Sequence, residues 1–275
     1  MTTALRPLST GELLDRTFSL YRSHFGLFVA IFAIPHLVVL AYQFLQLAVT
    51  RPDTRVPNVL ANLLWVFGAW FLGLVMASTS QAAAVIAVSE FHLNRSASVA
   101  DSFNRIKGHI LGVMGISMIV WIGVWAGLVA LLVPGILLLI IWCVAIPAKV
   151  LENKGVFAAM SRSVDLTKND WGRIFVIGLL IFVLRYGIPA TLQAPLIYVI
   201  AASARAGARS AILGWQITSL VAGFIGESLV GALGTIAVSL LYYDERVRKE
   251  AFDLQLMMTT LDTPQAPSSP AQVGA

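Results

Sequence analysis

Long, uninterrupted runs of apolar residues constrain the fold of this chain more than any other feature of its sequence. Six such runs are separated by polar stretches or, between the third and fourth, by Pro134-Gly135, and each can cross a bilayer as an α-helix, which takes about 20 residues. The sequence therefore predicts an all-α, polytopic membrane protein. We place its six transmembrane helices at residues 25–49, 59–91, 110–132, 134–151, 171–202 and 211–243.

The composition excludes the soluble and disulfide-stabilised classes. Of the 275 residues, 58% are hydrophobic and 12% are charged, whereas a soluble domain has about 45–50% apolar and about 25% charged residues. A single cysteine, Cys143, cannot build a disulfide framework. We expect residues 1–258 to form one membrane domain. Residues 259–275 are rich in Pro, Ser, Gln and Ala, and this composition predicts a disordered cytoplasmic tail.

Prolines predict where the apolar runs are interrupted. Pro134-Gly135 divides residues 110–151 into two spans joined by a tight turn. The second, fifth and sixth runs are longer than a bilayer requires, so they must tilt, break or project into water. In the fifth run, Pro189 and Pro195 flank Gln193, and we expect a kink or local unwinding there.

Basic residues are distributed unequally between the two sides of the predicted bundle. Fourteen lie on the side that holds both termini, and four lie on the other side. By the positive-inside rule, both termini face the cytoplasm, and we expect the chain to lie in a bacterial plasma (inner) membrane. Because the bases border the spans, the net charge of +5 indicates orientation in the membrane and no nucleic-acid partner.

A short pattern recurs without gaps before the first, third and fifth spans, at residues 18–25, 103–110 and 164–171. An apolar residue is followed four positions later by a base, then by His or Asp, then by a large apolar residue that enters the membrane. The pattern predicts three amphipathic interfacial helices and a threefold hairpin repeat. Its bases, Arg22, Lys107 and Lys168, would lie at the level of the lipid phosphates. They would either anchor the topology by attraction to anionic lipid or recognise a specific lipid.

Three passages resemble a bacterial membrane family. The first is Leu5-Arg-Pro-Leu-Ser-Thr-Gly-Glu-Leu-Leu-Asp-Arg-Thr-Phe-Ser-Leu-Tyr-Arg22. The second contains Pro134-Gly-Ile136 and Val144-Ala-Ile-Pro147, and the third is Tyr242-Tyr-Asp-Glu-Arg-Val-Arg-Lys-Glu-Ala-Phe-Asp-Leu254. Together they resemble the opening, middle and close of the uncharacterised family described as the glycerophosphoryl diester phosphodiesterase membrane domain.

The resemblance implies a stand-alone membrane domain and not a phosphodiesterase. The soluble enzyme to which such membrane domains are sometimes joined uses a His-Arg pair, a Glu-x-Asp pair and a second His. This chain contains neither pair, and its four histidines are dispersed. We therefore expect no enzymatic activity, no catalytic residues, no metal site and no cofactor.

Two charged residues deep in apolar runs are the leading site candidates. Arg185 and Glu227 are equally distant from the turn between the fifth and sixth spans, so in an antiparallel hairpin they lie at one depth and can pair. The pair would be either a substrate, ion or proton site or a buried ion pair that fixes helix register. His36 follows Pro35 and would either titrate or donate to a carbonyl that the proline frees. We also expect His36 and Gln193 to contribute to a polar site.

Two functional hypotheses follow. The first is a non-enzymatic integral membrane protein with a lipid-associated, scaffolding or regulatory role in the envelope, whose partners are membrane lipids and other membrane proteins. The second is a transporter or flippase of an anionic or amphiphilic solute, with Arg185 as the anion ligand. The second hypothesis predicts a cavity between the fifth and sixth spans.

Overall fold

A computed structural model describes residues 7–49 and 59–250 of the chain, apart from the side chains of residues 209 and 210. The predicted tail at 259–275 and the predicted domain end at 258 lie outside these residues. The described chain is all-α. Its elements are α1 (Thr10–Ser23), α2 (Phe25–Val49), α3 (Val59–His92), α4 (Val99–Ile106), α5 (Ile110–Ala130), α6 (Leu132–Trp142), α7 (Ala145–Leu151), α8 (Val156–Thr167), α9 (Trp171–Phe182), a π-helical turn (Val183–Gly187), α10 (Ile188–Arg205) and α11 (Arg209–Glu250).

Within the described part of the chain, six helical segments are long and apolar enough to cross a membrane, which confirms the multi-pass architecture. They are Phe25–Val49, Val59–His92, Ile110–Ala130, Leu132–Leu151, Trp171–Arg205 and Ala211–Glu250. The spans pack in a closed order, in which α2 contacts α3, α3 contacts α5, α5 contacts α6, α6 contacts α9, and α10 contacts α11, which returns to α2. The second spans of the three hairpins also contact one another: α3 contacts α7 and α11, and α7 contacts α11.

The three interfacial segments use the same buried position. The hydroxyls of Thr17, Ser102 and Ser163 are each buried in the face that packs on the bundle. Each donates to a backbone carbonyl at 2.8 Å, of Leu13, Ser98 and Ile141 respectively. These residues occupy one position of the repeat, immediately before the recurring apolar residue.

The corner between each interfacial helix and its span also recurs. His24, His109 and Asp170 share one backbone conformation, with φ of −125°, −105° and −113° and ψ of 34°, −16° and 20°. The carbonyl of each accepts from the amide four residues later, at 3.1, 2.9 and 3.0 Å. The next repeat positions are buried in all three spans: Phe28, Val113 and Ile174, then Ile31, Ile116 and Ile177. These equivalences support the threefold repeat beyond the short sequence pattern.

The chain reverses between the third and fourth spans at Leu131 and not at Pro134-Gly135. Leu131 is extended, with φ −164° and ψ 141°, and α6 starts at the next residue. Pro134 lies in the first turn of α6, where a helix leaves its backbone N–H groups without internal acceptors. Proline is tolerated there, so the turn lies before it.

The fourth span is interrupted at Cys143 and Val144, which divide it into α6 and α7. Pro147 explains the interruption, because a proline has no N–H for the carbonyl four residues earlier, which belongs to Cys143. Ser163 of α8 donates to the carbonyl of Ile141 beside the break, and Thr167 lies within 3.5 Å of the same oxygen. The third interfacial helix is thereby fixed to the broken span.

The two ends of the described chain meet on one side of the bundle, which we call the terminal side, as opposed to the far side. The amide of Leu8 donates to Asp244 at 2.6 Å, and the hydroxyl of Tyr21 donates to the carbonyl of Leu229 at 2.5 Å. Asp244 and Leu229 are about 22 Å apart along α11. The first interfacial helix, α1, therefore lies along α11 and not flat across the end of the bundle.

The charged end of α11 joins the surrounding helices through ion pairs on the terminal side. Asp244 and Glu245 have fully buried side chains, and Arg173 at the start of α9 contacts both, at 2.6 and 2.9 Å. Arg248 also binds Asp244, at 2.9 Å, and Lys249 donates to the carbonyl of Leu166 in α8 at 2.6 Å. These charges within Tyr242–Glu250 therefore hold together α1, α8, α9 and α11.

Glu152 extends this arrangement to the end of α7. Burial alone raises the pKa of its carboxyl, but hydrogen bonds from Lys154, Tyr242 and Arg162 outweigh burial and hold the pKa at about 2. Arg162 of α8 approaches the carboxylate at 3.0 Å, and the Tyr242 hydroxyl donates to it at 2.7 Å. Glu152 is therefore ionised at neutral pH and ties α7 and α8 to α11.

Candidate functional site

Arg185 and Glu227 form the ion pair that the sequence predicts. Arg185 Nη2 lies 2.6 Å from Glu227 Oε1, and Nη1 donates to the carbonyl of Gly231 at 3.1 Å. About 26 Å of helix separates Glu227 from Asp244 on the terminal side, and about 27 Å separates it from Arg209 on the far side. The pair thus lies near the middle of α11, at a depth where charges are costly.

Arg185 occupies the centre of the π-helical turn Val183–Gly187. Pro189 accounts for this irregularity, because its ring lacks an N–H and crowds the carbonyl four residues earlier, which is that of Arg185. The unwinding predicted in the fifth run is present, but it precedes both prolines, and Pro195 is accommodated within α10. Single π-helical turns of this kind are frequent at functional sites.

Glycines of α11 let neighbouring helices approach the pair closely. A Cβ at Gly231 would lie 2.6 Å from the ring of Phe32, and one at Gly223 would lie 3.0 Å from the Gln193 amide. At Gly234 it would lie 3.4 Å from Ile181 and 3.8 Å from Arg185. These glycines were not predicted to be functional, although their spacing of eight and three positions along one helix was a usable signal.

His36 lies on α2 opposite the pair. Its Nδ1 is 2.8 Å from the carbonyl of Phe32, and its Nε2 is 4.0 Å from Glu227 Oε1. The carbonyl that Pro35 leaves without a donor is that of Ile31. The prediction that His36 donates to this carbonyl is wrong, because His36 Nδ1 contacts the carbonyl of Phe32 instead. The structure places the imidazole between the backbone of its own helix and the carboxylate of α11.

Gln193 connects α10 to α11. Its side-chain amide donates to the carbonyl of Ser219 at 3.0 Å, and the Ser219 hydroxyl donates back to Gln193 Oε1 at 2.7 Å. Gln193 therefore belongs to the predicted polar region but acts as a clamp between two helices. Ser219 was not predicted, although Gln216, Thr218 and Ser219 form a short polar cluster in the sixth apolar run.

Two cavities adjoin the ion pair. The first, which we call the far cavity, has a volume of about 410 Å³ between α2, α10 and α11, and its polar lining comprises His36, Gln43, Gln193, Ser219 and Glu227. It contacts α11 from Ser219 to Glu227. The predicted cavity between the fifth and sixth spans is therefore present, with the first span as a third wall.

The second, which we call the central cavity, has a volume of about 190 Å³. Its polar lining comprises Gln81, Cys143, Arg185 and Thr235, and its walls come from α3, the α6–α7 break, the fifth span and α11. It contacts α11 from Gly234 to Val238, on the terminal side of the pair. Glu227 thus faces the far cavity, whereas Arg185 faces the central cavity.

Arg22, Lys107 and Lys168 are all exposed. They follow the buried hydroxyls of the three interfacial helices at the same distance in sequence. Arg22 follows Tyr21, whose hydroxyl donates to the carbonyl of Leu229, so the first of these bases lies alongside α11.

Within residues 7–49 and 59–250, no group of three or more His, Cys, Asp or Glu side chains is arranged to hold a metal ion. No family model, curated protein or solved structure matches the chain. The resemblance to the phosphodiesterase membrane domain therefore stays a prediction.

Proposed function

We propose that this protein is a non-enzymatic transporter that moves an anionic or amphiphilic solute past the Arg185–Glu227 pair. The observation that carries the proposal is the position of the pair between two cavities on opposite sides of it along α11. The positive-inside distribution of bases supports a cytoplasmic terminal side, and we place the protein in a bacterial plasma membrane.

The chemistry of the pair suits an anion. A guanidinium presents a fork of N–H donors that matches a carboxylate or phosphate, and it stays charged at any physiological pH. In the structure Glu227 occupies this fork from one side. An incoming anion competes with Glu227 for Arg185, so the pair closes the path when no solute is bound.

The apolar lining of the far cavity suits the rest of such a solute. Val39, Leu40, Leu220 and Phe224 form its walls, together with the polar groups around Glu227. An alkyl or acyl portion can lie against these side chains while the anionic group points to the ion pair. This mixed lining favours an amphiphilic solute over a small hydrated ion.

A lipid-associated or scaffolding role is the second candidate. It is supported by the exposure of Arg22, Lys107 and Lys168 at equivalent positions of the three repeats. Bases near a membrane surface attract anionic headgroups, each by about 1 kcal/mol. This role needs the surface bases and not the buried pair, so the two candidates respond to different substitutions.

Native mass spectrometry of protein extracted with its own lipids tests the proposal. Wild type should retain a defined anionic species, and Arg185→Ala should lose it. Arg205→Ala is the matched control, because Arg205 is an exposed arginine on the same span. Equal retention by all three folded proteins would overturn the transport proposal, and loss only from a triple variant of Arg22, Lys107 and Lys168 would favour the lipid-associated role.

A further inference from the structure

The gap between His36 and Glu227 has an unusual arrangement of hydrogen-bonding groups. A backbone carbonyl can only accept, so the 2.8 Å contact with Phe32 requires a proton on His36 Nδ1. In a neutral imidazole the other nitrogen, Nε2, is then an acceptor. It faces Glu227 Oε1, also an acceptor, across 4.0 Å. Two acceptors face each other with no donor between them, and a proton on either atom would supply one.

A proton can reach this gap from one side. His36 and Glu227 both line the far cavity, with 12% and 30% of their side chains exposed. The charged and titratable groups that face them are Arg185 from the fifth span, at 2.6 Å from Glu227, and Tyr186, whose ring lies 5.8 Å from the guanidinium. Among the described residues that line the far cavity, the remaining polar ones are Gln43, Gln193 and Ser219, which do not titrate.

The charge balance of the site links proton binding to anion binding. With Glu227 ionised and Arg185 charged, the pair is neutral. A proton alone would leave one unpaired positive charge near the middle of the membrane, and an anion alone would leave one unpaired negative charge. Both states are costly, because an unpaired charge there is poorly solvated. A proton bound together with a monovalent anion keeps the site neutral.

Resting on the transport function proposed above, we propose that His36 and Glu227 form a proton-binding site whose occupancy transfers Arg185 from Glu227 to the anion. The proton comes from water in the far cavity and adds to the Glu227 carboxylate, which becomes a neutral carboxylic acid. Arg185 keeps its proton throughout and exchanges one oxygen partner for another. The transported unit is one monovalent anion with one proton.

Infrared spectroscopy of the full-length protein in lipid nanodiscs tests the proton site. As the pH is lowered, wild type should gain a carboxylic-acid band that is missing from Glu227→Gln. Glu90→Gln, a change of the same type at the end of α3, should keep the band. His36→Gln should change the pH at which the band appears but not its amplitude, which a merely structural histidine would not do. Identical titrations of wild type and Glu227→Gln would overturn the proposal.

A second measurement separates this inference from the transport function. Retention of the anionic species by wild type should fall about tenfold for each pH unit above the midpoint of the band, as one-proton linkage requires. Retention by Glu227→Gln should not depend on pH. Retention that depends on Arg185 but not on pH would refute proton coupling and leave transport standing. A Glu227 band without a retained species would refute transport and leave the proton site standing.

Discussion

Removing Arg185 should destabilise the protein at least as much as removing both members of the ion pair. Arg185→Ala leaves the Glu227 carboxylate without its 2.6 Å partner and with only His36 nearby. Truncation of one partner of a fully buried pair costs about 3–5 kcal/mol, and since these side chains are 21% and 30% exposed we expect a loss of about 2–4 kcal/mol. Glu227→Gln keeps an oxygen near the guanidinium and the bond from Arg185 to the Gly231 carbonyl, so we expect a loss of about 1–2 kcal/mol.

The double variant Arg185→Ala, Glu227→Gln contains no unpaired charge. We therefore expect it to be at least about 2 kcal/mol more stable than the sum of the single effects predicts. Equilibrium unfolding in detergent micelles, followed by tryptophan fluorescence, measures the four free energies of the cycle. Leu179→Ala on α9, where the side chain is 48% exposed, provides the control for truncation. Additive effects, or an Arg185→Ala loss no larger than that of Leu179→Ala, would refute the description of the pair as half-buried and coupled.

Three further predictions concern stability. Gly127→Ala should lower the free energy of unfolding by about 2 kcal/mol, since its Cβ would lie 2.8 Å from the backbone of Gly135. In Gly178→Ala the new Cβ meets nothing within 4 Å, so this variant should be as stable as wild type or slightly more stable. Thermal unfolding of the two variants tests this contrast. Asp244→Asn should increase hydrogen exchange of the α1 amides, because Asp244 binds the Leu8 amide and two arginines. Unchanged exchange would show that this carboxylate does not hold α1 against α11. The ionised Glu152 carboxylate contributes to stability fully above about pH 4.3, its pKa in the unfolded chain. This contribution is lost as the pH falls towards its pKa of about 2 in the folded protein. The Tm of wild type should therefore drop more than that of Glu152→Gln across this interval.

The spans could be predicted because bilayer thickness sets the length of an apolar helix, and α2 and α3 begin at the expected residues. The exact positions of the breaks could not be predicted, since a proline disturbs the helix at the carbonyl four residues before it. Pro147 divides the fourth span at Cys143, and Pro189 disturbs the fifth span at Arg185. Pro134 breaks nothing, because it lies in the first turn of α6.

The pairing of Arg185 with Glu227 could be predicted because a hairpin places residues equally distant from its turn at one depth. The approach of His36 could not, because α2 and α11 are far apart in sequence and nothing in either run fixes their register. That register depends on side-chain packing, such as that of Phe32 against Gly231. The two cavities likewise arise from several helices at once, so no single segment of the sequence indicates them.

Labelling from the two sides of the membrane tests the central claim most directly, that the ion pair separates two cavities which open to opposite sides. In a Cys143→Ser background, Leu220→Cys probes the far cavity and Val238→Cys probes the central cavity. With a membrane-impermeant thiol reagent, position 220 should react only from the far side and position 238 only from the terminal side. Reaction of both positions from one side, or of either position from both sides, would contradict the account.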